Sequence, residues 1–329
     1  MKILVFEYIV GGGLAQDELS ASLVREGELM LQALANELAI VPGVQQTILL
    51  DKRCKELVLP NNIETILVSA EQDIYDLLAE LIDDFDYVWP IAPEMGAVLQ
   101  NLSVLLEGKS KCLLNSSSEA VALCTDKYKT SLVLTKTGIN TVETIQLDRF
   151  SNQFVAPWVI KPKDGVGCVD SYLVSDKGQL DKIVKQIVDK SDYIIQPYIK
   201  GESLSLSCLF KNGQAWLLCC NQQQISIVQN RFELNACVVN LANGNRRVYQ
   251  RLVDRIALEI PGLWGYVGID LIQSEFASPL VLEINPRLTT SYVGIQPALG
   301  INVAKMVLDM IDKRPQVICT QNEQITVLI

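Results

Sequence analysis

The sequence predicts an α/β protein of two or three domains, in which a small parallel sheet precedes mixed lobes. Three observations carry that expectation. Apolar runs of strand length alternate with helical spacing through residues 1–112, the pattern of a parallel sheet covered by helices. Two short apolar runs, Val267–Ile272 and Pro279–Ile284, flank the polar stretch Gln273–Ser278 and read as a β-hairpin buried on one face. With 329 residues, 49% apolar and 20% charged, the chain is long enough to bury several cores and too apolar to be disordered.

The elements follow in order. Ile3–Val10 is a strand and Gly11–Gly13 a turn. Glu18–Leu38 is a helix, with Leu23, Leu31, Leu34 and Leu38 at helical spacing. Gln46–Leu50 and Ile63–Val68 are strands, Asp73–Ile82 a helix and Tyr87–Pro90 a strand. Gly11–Gly13 invites a dinucleotide-site reading, but GxGxxG is absent and no acidic residue stands where a ribose partner is expected. A turn packing strand against helix is the favoured reading, with its N–H groups free to face a carboxylate. Asn115–Glu119 is a polar break with N-cap chemistry, which sets a first boundary near 113; a helix carrying Lys127 follows and Gly138 ends the next helical stretch.

Trp158–Pro162 is a strand ending on Lys161, followed by a glycine loop and the strand Ser171–Val174. Gln179–Lys190 is a helix and Tyr193–Gln196 a strand. Leu204–Phe210 and Ala215–Cys220 form a hairpin around Asn212-Gly213, a strong turn pair. The amide run Asn221–Gln224 reads equally as a solvated strand end or a substrate-facing set. Arg246–Ile260 is a helix ended by Pro261-Gly262, Gly300–Ile311 a last helix, and Gln316–Ile329 a tail read as an edge strand.

Composition excludes whole classes of chemistry. The chain has no histidine, which removes His-based triads, His metal sites and imidazole acid–base catalysis. The net charge of −10 argues against nucleic acid or an anionic membrane surface. No apolar run reaches the roughly 18 residues of a membrane span. The N-terminus reads as a strand, not a signal peptide, because Glu7 interrupts its apolar run. Nine cysteines without CxxC spacing fit reduced thiols and a cytoplasmic location.

The residues left to do chemistry fall in a few places. Asp270 and Glu283 lie on neighbouring strands of the hairpin, with Asn285 on the same face two residues on. Two carboxylates and an amide oxygen suit Mg²⁺ that keeps waters and takes its other ligands from phosphates. Taken alone, the pair reads equally well as a solvated sheet edge. Lys161 is fixed on a strand before Gly165-Val166-Gly167, whose backbone N–H groups can approach phosphates closely; the alternative is an ordinary hairpin turn with a surface lysine. Gln196-Pro197-Tyr198-Ile199 followed by Glu202 could hold a nucleoside, with backbone groups on the base and the acid on ribose.

In this order, Lys127, the Ile160-Lys161-Pro162 strand end with its glycine loop, Gln196–Ile199 with Glu202, Asp270, and Glu283-x-Asn285-Pro286-Arg287 resemble the ATP-grasp superfamily over residues 113–311. The resemblance implies a leading Rossmann-like parallel α/β domain at 1–112, a small lobe with the glycine loop at 113–196, and a C-terminal lobe with the metal site at 197–329. The two lobes would clasp ATP. Lys127 and Lys161 would reach its phosphates, Gly165, Val166 and Gly167 would cover them, and Gln196, Pro197, Tyr198 and Ile199 would hold adenine with Glu202 on ribose. Asp270, Glu283 and Asn285 would hold one or two Mg²⁺, with Mn²⁺ as an alternative. Arg287 would face the transferred group and, with Lys161, act in catalysis. Such proteins join a carboxylic acid to an amine through an acyl phosphate, with release of ADP and phosphate. Small-molecule carboxylates and amines are then the partners, with no nucleic acid and no membrane; a homodimer is left open.

A narrower likeness rests on FEYIVGGGL, the EGELML at Glu26–Leu31 and the KPKDGVG loop. These resemble the tyramine–glutamate ligase group and its bacterial relatives in one-carbon cofactor synthesis, implying glutamate as the activated acid and an aromatic or furan amine as nucleophile. Ser291 and Tyr292 join Arg287 as candidate substrate contacts. Three positions depart from the pattern: Cys168 replaces a small Gly or Ser, Val142 a proline, and Gly268 an arginine two residues before the first metal acid. The last departure leaves Arg287, Arg246 and Arg247 as candidates for the arginine that stabilises transferred charge. A catalytically silent ATP-binding regulator on the same fold is the alternative, and a carboxylase or phosphotransferase a third reading. A silent protein would be expected to lose an acid or a lysine of the set, and all are present.

Overall fold

Lys2–Glu7 forms the first strand, β1, and from Ile3 onward every residue of it is buried. A strand buried on both faces belongs at the centre of a parallel sheet. The computed structural model places it there. The model describes the whole chain except Asn62, Ser110, Lys111, Asn243, Gly244, Phe276 and Ala277, and of Cys112 only the backbone. The first helix, α1 (Ala21–Ala39), is followed by β2 (Gln45–Asp51), β3 (Glu64–Val68), α2 (Ile74–Leu81), β4 (Tyr87–Ile91), α3 (Val98–Gly108) and β5 (Cys112–Leu113). The strands pair in parallel in the order β3-β2-β1-β4-β5. Leu31, Leu34 and Leu38 of α1 cover one face, while Leu78 of α2 and Leu99 and Leu102 of α3 cover the other. The order reverses direction between β1 and β4, so a crevice opens at the carboxyl ends of those two strands, where ligands of such sheets sit. Glu7 ends β1 there, and Glu94 follows β4.

The second sheet is antiparallel and has ten strands. After α4 (Ser118–Thr125) and α5 (Lys127–Lys136) come β6 (Ile145–Gln146), β7 (Trp158–Pro162), β8 (Tyr172–Val174), α6 (Lys177–Val184) and β9 (Tyr193–Pro197). Then follow β10 (Glu202–Lys211), β11 (Gln214–Val228), β12 (Arg231–Val239), α7 (Arg246–Glu259), β13 (Gly265–Gln273), β14 (Leu280–Asn285), α8 (Ile295–Leu299), α9 (Val303–Asp309) and β15 (Ile325–Leu328). The order is β14-β13-β10-β11-β12-β8-β7-β9-β6, and β15 adds to β12. Helices α4, α5 and α7 share one core with β10, β11, β13 and β14, through Cys124, Leu134, Tyr249, Val253, Leu206 and Ile269. Strands β6–β9 and α6 have a separate core of Leu147, Trp158, Ile160, Val174, Leu180 and Ile195. Among the described residues, one registered pair, Arg231 with Tyr172, joins the two parts of the sheet.

The elements differ from expectation in ways that have local causes. Tyr8–Gly13 folds into turns, with the Gly11 N–H on the Glu7 carbonyl at 2.7 Å, so β1 ends early. Gly12 has φ +97°, and a Cβ there would lie 2.6 Å from Val68. The helix expected over 179–190 is α6, started by the Asp176 cap and ending at Val184. The helix expected over 300–311 is broken in two: Gly300 is left-handed after α8, and the Asn302 side chain caps α9 by accepting from Lys305 N. The amide run lies inside β11, and β12 had no counterpart in the sequence reading. The tip of the expected turn at 273–278, residues 276 and 277, lies outside the described residues. Among the described residues no helix is long and apolar enough to cross a membrane.

The parallel domain is fastened to the C-terminal region through Glu37 of α1. Its Oε2 accepts from the Tyr292 hydroxyl at 2.9 Å and from Ala304 N at 2.7 Å, and its backbone carbonyl accepts from Asn302 Nδ2 at 2.7 Å. Its other carboxylate oxygen, Oε1, has no partner. Burial raises the Glu37 pKa from the ordinary 4.5 to about 7, with the bonds from Ala304 and Tyr292 opposing it. The folded protein therefore holds this proton more tightly than the unfolded chain, and stability is lost as pH rises through the folded value. Glu37→Gln, neutral at every pH, is expected to match wild type below about pH 4.5 and to melt a few degrees higher above about pH 7. Melting curves of both proteins across that range test this; a gap that does not widen with pH contradicts it.

Candidate active site

Antiparallel pairing of β13 with β14 sets Asp270 opposite Glu283 and Gly268 opposite Asn285, with a register irregularity just after Asp270. Cross-strand neighbours on one face approach within side-chain reach. Asn285 Nδ2 donates to Asp270 Oδ2 at 3.2 Å, which leaves the Asn285 amide oxygen free to accept. Gln223 of β11 donates from Nε2 to Asp270 Oδ1 at 3.1 Å. Two lysines meet the other acid: Lys127 Nζ, from the first turn of α5, lies 3.3 Å from Glu283 Oε2, and Lys161 Nζ, from β7, lies 3.6 Å from the same oxygen. Both lysines are nearly buried, at 7% and 8% exposure.

These charges set one another's protonation. Burial pushes Glu283 up, but Lys127 and then Lys161 outweigh it and hold its pKa at about 2. Asp270 is pushed well above the usual carboxylate range, by burial first and then by the adjacent Glu283 charge. Lys161 is pushed below its usual value by burial, against the pull of Glu283. An acid forced toward protonation beside a second acid is a site that a divalent cation stabilises. The donors are all oxygen: two carboxylates and one amide, which fits Mg²⁺. Among the described residues no three His, Cys, Asp or Glu side chains are grouped to hold a metal, so the remaining ligands would be water or phosphate.

A cavity opens over this set. Lys127, Lys161, Gly165, Val166, Gly167, Asp270, Glu283, Asn285 and Arg287 all line it. The glycine loop is drawn over it, since Lys127 Nζ donates to Gly165 O at 2.6 Å. Cys168, next in the loop, has φ +62°, a conformation that favours glycine and explains the small residue expected there. Its thiol is raised to about 11 by burial.

At the other end stands Arg287, whose Nε donates to Glu94 Oε2 at 2.8 Å and whose Nη1 donates to Leu288 O at 3.0 Å. Thr289, Thr290 and Ser291 follow it along the wall. A hydroxyl chain lies beneath them, with Thr289 and Ser291 2.9 Å apart and the Tyr266 hydroxyl 3.1 Å from Thr289 and 2.9 Å from Ser207.

The departure at Gly268 has a steric cause: a Cβ there would lie 2.7 Å from Thr289 Cγ2, so an arginine side chain cannot be accommodated without moving β13 or Thr289. Arg246 is not a substitute. Its guanidinium donates to the carbonyls of Leu217 and Leu218, at 2.7 and 2.9 Å, and Arg247 is exposed on α7. Arg287 is the arginine that lines the cavity.

The structure does not bring the rest of the expected set to this cavity. Gln196 is buried in β9 and donates from Nε2 to Thr144 Oγ1 at 2.8 Å. Pro197 ends β9, Tyr198 N donates to Pro157 O at 2.8 Å, and Ile199 lies on the connection to β10; Glu202 is exposed at the start of that strand. These residues lie along the link between the two parts of the sheet, beside the start of β7, where Trp158 pairs with Pro197. Ser291 lines the cavity, but Tyr292 is fully buried and turned toward Glu37, so it is not a substrate contact. The sequence reading missed Glu26 and Ser205, which line the cavity, and Glu94 behind Arg287. Glu26 had a legible signal: it stands at i, i+4, i+8 spacing with Met30 and Leu34, an acid on the core-facing stripe of a helix.

Comparison with known proteins agrees with this geometry. The family profile for the ATP-grasp domain matches residues 124–291, and that for the pre ATP-grasp 3 domain matches 44–121. The chain is similar to tyramine–L-glutamate ligase of Methanocaldococcus fervens, at 29% identity over 91% of each protein. It is similar to the same-named enzyme of Methanocaldococcus jannaschii at 26% identity, over 89% of this chain and 84% of that one. The crystal structure of an ATP-grasp superfamily protein from Archaeoglobus fulgidus superposes with a TM-score of 0.73 at 22% identity, over 100% of this chain and 92% of that one.

Two substitutions test the site. Glu283→Gln is expected to cut Mg²⁺-dependent ATP turnover by at least roughly a hundredfold in a protein that melts lower but is still folded at the assay temperature, because a charged ligand and the counter-ion of two lysines are lost; near-normal turnover would sink the metal assignment. Lys161→Ala is expected to weaken nucleotide affinity by roughly tenfold or more, through the loss of a phosphate-facing charge; unchanged binding in a nucleotide titration counts against that role.

Proposed function

The chain belongs to the ATP-grasp family, and from that premise we propose that it is an ATP-dependent carboxylate–amine ligase that activates its acid as an acyl phosphate. The observation that carries the reading is the convergence of Lys127, Lys161, Asp270, Glu283 and Asn285 at one end of a cavity whose other end holds Arg287 and a row of hydroxyls. A nucleotide triphosphate suits the first end and a small acid the second. The similarity to tyramine–glutamate ligases over nearly the whole chain supports glutamate as the acid and an aromatic or furan amine as the acceptor.

Phosphoryl transfer needs alignment and charge neutralisation and no histidine base, which suits a chain that has none. Asp270, Glu283 and Asn285 would hold one or two Mg²⁺, which would supply positive charge against the phosphates. Lys161, anchored on β7, and Lys127, at the start of α5, sit where phosphate oxygens can replace Glu283 and the Gly165 carbonyl as their partners. A substrate carboxylate oxygen attacks the γ-phosphorus and the bond to the β–γ bridging oxygen breaks, giving acyl phosphate and ADP. The neutral amine then attacks the acyl carbon, the carbon–oxygen bond to phosphate breaks, and the amine proton leaves with phosphate. The glycine loop excludes water from the acyl phosphate, which water would otherwise hydrolyse.

Phosphate release from ATP and Mg²⁺ is the test, with glutamate present and a panel of amines that includes tyramine and furan-methylamines. Release that requires both glutamate and one amine is the expected result. Tight ATP binding without release for any amine would count against the ligase reading.

A further inference from the structure

The cavity has two charged groups, and they are balanced differently. In one group two lysines face the same acid, Glu283, at 3.3 and 3.6 Å, with Asp270 across the strand pair from it. In the other Arg287 is already neutralised inside the protein, by Glu94 at 2.8 Å, with both side chains largely buried. That leaves Glu26, which reaches the same wall from α1 of the parallel domain. Among the described residues it has no ion-pair partner, and its one side-chain hydrogen bond is a long one, from Thr290 Oγ1 at 3.3 Å. Burial raises its pKa, with Arg287 and Thr290 opposing. An unpaired carboxylate held in a half-buried wall is costly unless a cation completes it.

We infer that Glu26 is the specificity residue that receives the free ammonium of an amino-acid substrate. The assignment rests on the ligase reading above and names which part of the substrate this end of the cavity recognises. The ammonium in question is the group that does not react. A carboxylate beside the acceptor amine would stabilise its protonated form, which is no nucleophile, whereas an ammonium beside the activated carboxyl is improved by the same contact. Position agrees: Glu26 accepts from Thr290 and feels the Arg287 charge, whereas Lys127 and Lys161 are paired with Glu283. Acids lacking the ammonium would leave Glu26 without a cation, so discrimination comes from a group the wrong substrate fails to satisfy.

The test is a binding titration that needs no turnover. Matched pairs of acids, L-glutamate with glutarate, L-aspartate with succinate and L-alanine with propionate, are titrated into the wild-type protein and into Glu26→Gln, each with ADP and Mg²⁺ present. Wild type is expected to bind one amino acid at least roughly tenfold tighter than its deaminated partner. Glu26→Gln is expected to bind the two alike, at the partner's affinity, with ADP affinity unchanged and with Glu26→Asp keeping part of the preference. A wild type that prefers no amino acid over its partner, or a preference that survives in Glu26→Gln, overturns the assignment. If discrimination is present and lost as expected while no amine elicits phosphate release, the Glu26 assignment holds and the ligase reading falls.

Discussion

Everything in this structure that bears on chemistry depends on one carboxylate oxygen, Glu283 Oε2, held between two lysines that come from different parts of the fold. Lys127 belongs to a helix packed on the core of the C-terminal strands, and Lys161 to the separate core of β6–β9. Either ammonium alone in a nearly dry wall would be unfavourable, and Asp270 beside Glu283 would be worse. Together they form a nearly neutral set in which each charge is the reason another can be buried. On the proposed reading, a polyphosphate would take the place of Glu283 and the Gly165 carbonyl as partner of these lysines, so both would stay paired when it binds.

The sequence shows some of this plainly. Asp270, Glu283 and Asn285 are legible because a hairpin is a local structure: spacing along the chain and alternation along a strand decide which residues meet. Lys161 and its glycine loop are legible for the same reason. Strand β12 was not, because Arg231–Val239 mixes Arg231, Glu233 and Asn235 with apolar residues and follows a turn at Gln229-Asn230, both of positive φ, that carries no glycine. Its apolar alternation is real, but its partners, β11, β8 and β15, are settled by packing at long range.

Residues contributed by the other domain were the hardest to see. Glu26 and Glu94 are nearly two hundred positions or more from Arg287 and Thr290 along the chain, and only the docking of the parallel sheet on the C-terminal region brings them together. Gln196 is picked out by spacing alone, and only the structure shows that its buried side-chain amide donates to Thr144. This wall of the cavity is thus a property of the domain interface: Ser291, which lines it, is next to Tyr292, whose hydroxyl bonds Glu37 of the parallel domain.

The joint between the two parts of the antiparallel sheet has a mechanical consequence. Strand pairing crosses it at one registered residue pair, Arg231 with Tyr172, where the guanidinium also lies 4.9 Å from the ring centroid. Two backbone bonds flank the pair, Leu173 N to Asn230 O and Phe232 N to Ser171 O, so the seam among the described residues is narrow, and any hinge between the two bodies would turn there. Lys161 and the glycine loop ride on the turning side, whereas Lys127, Asp270 and Glu283 stay with the other. A turn at this seam would part Lys161 from Glu283 and would also have to break the bonds from Lys127 to Lys163 O and Gly165 O, so the angle between the two bodies is tied to the same lysines that face the cavity.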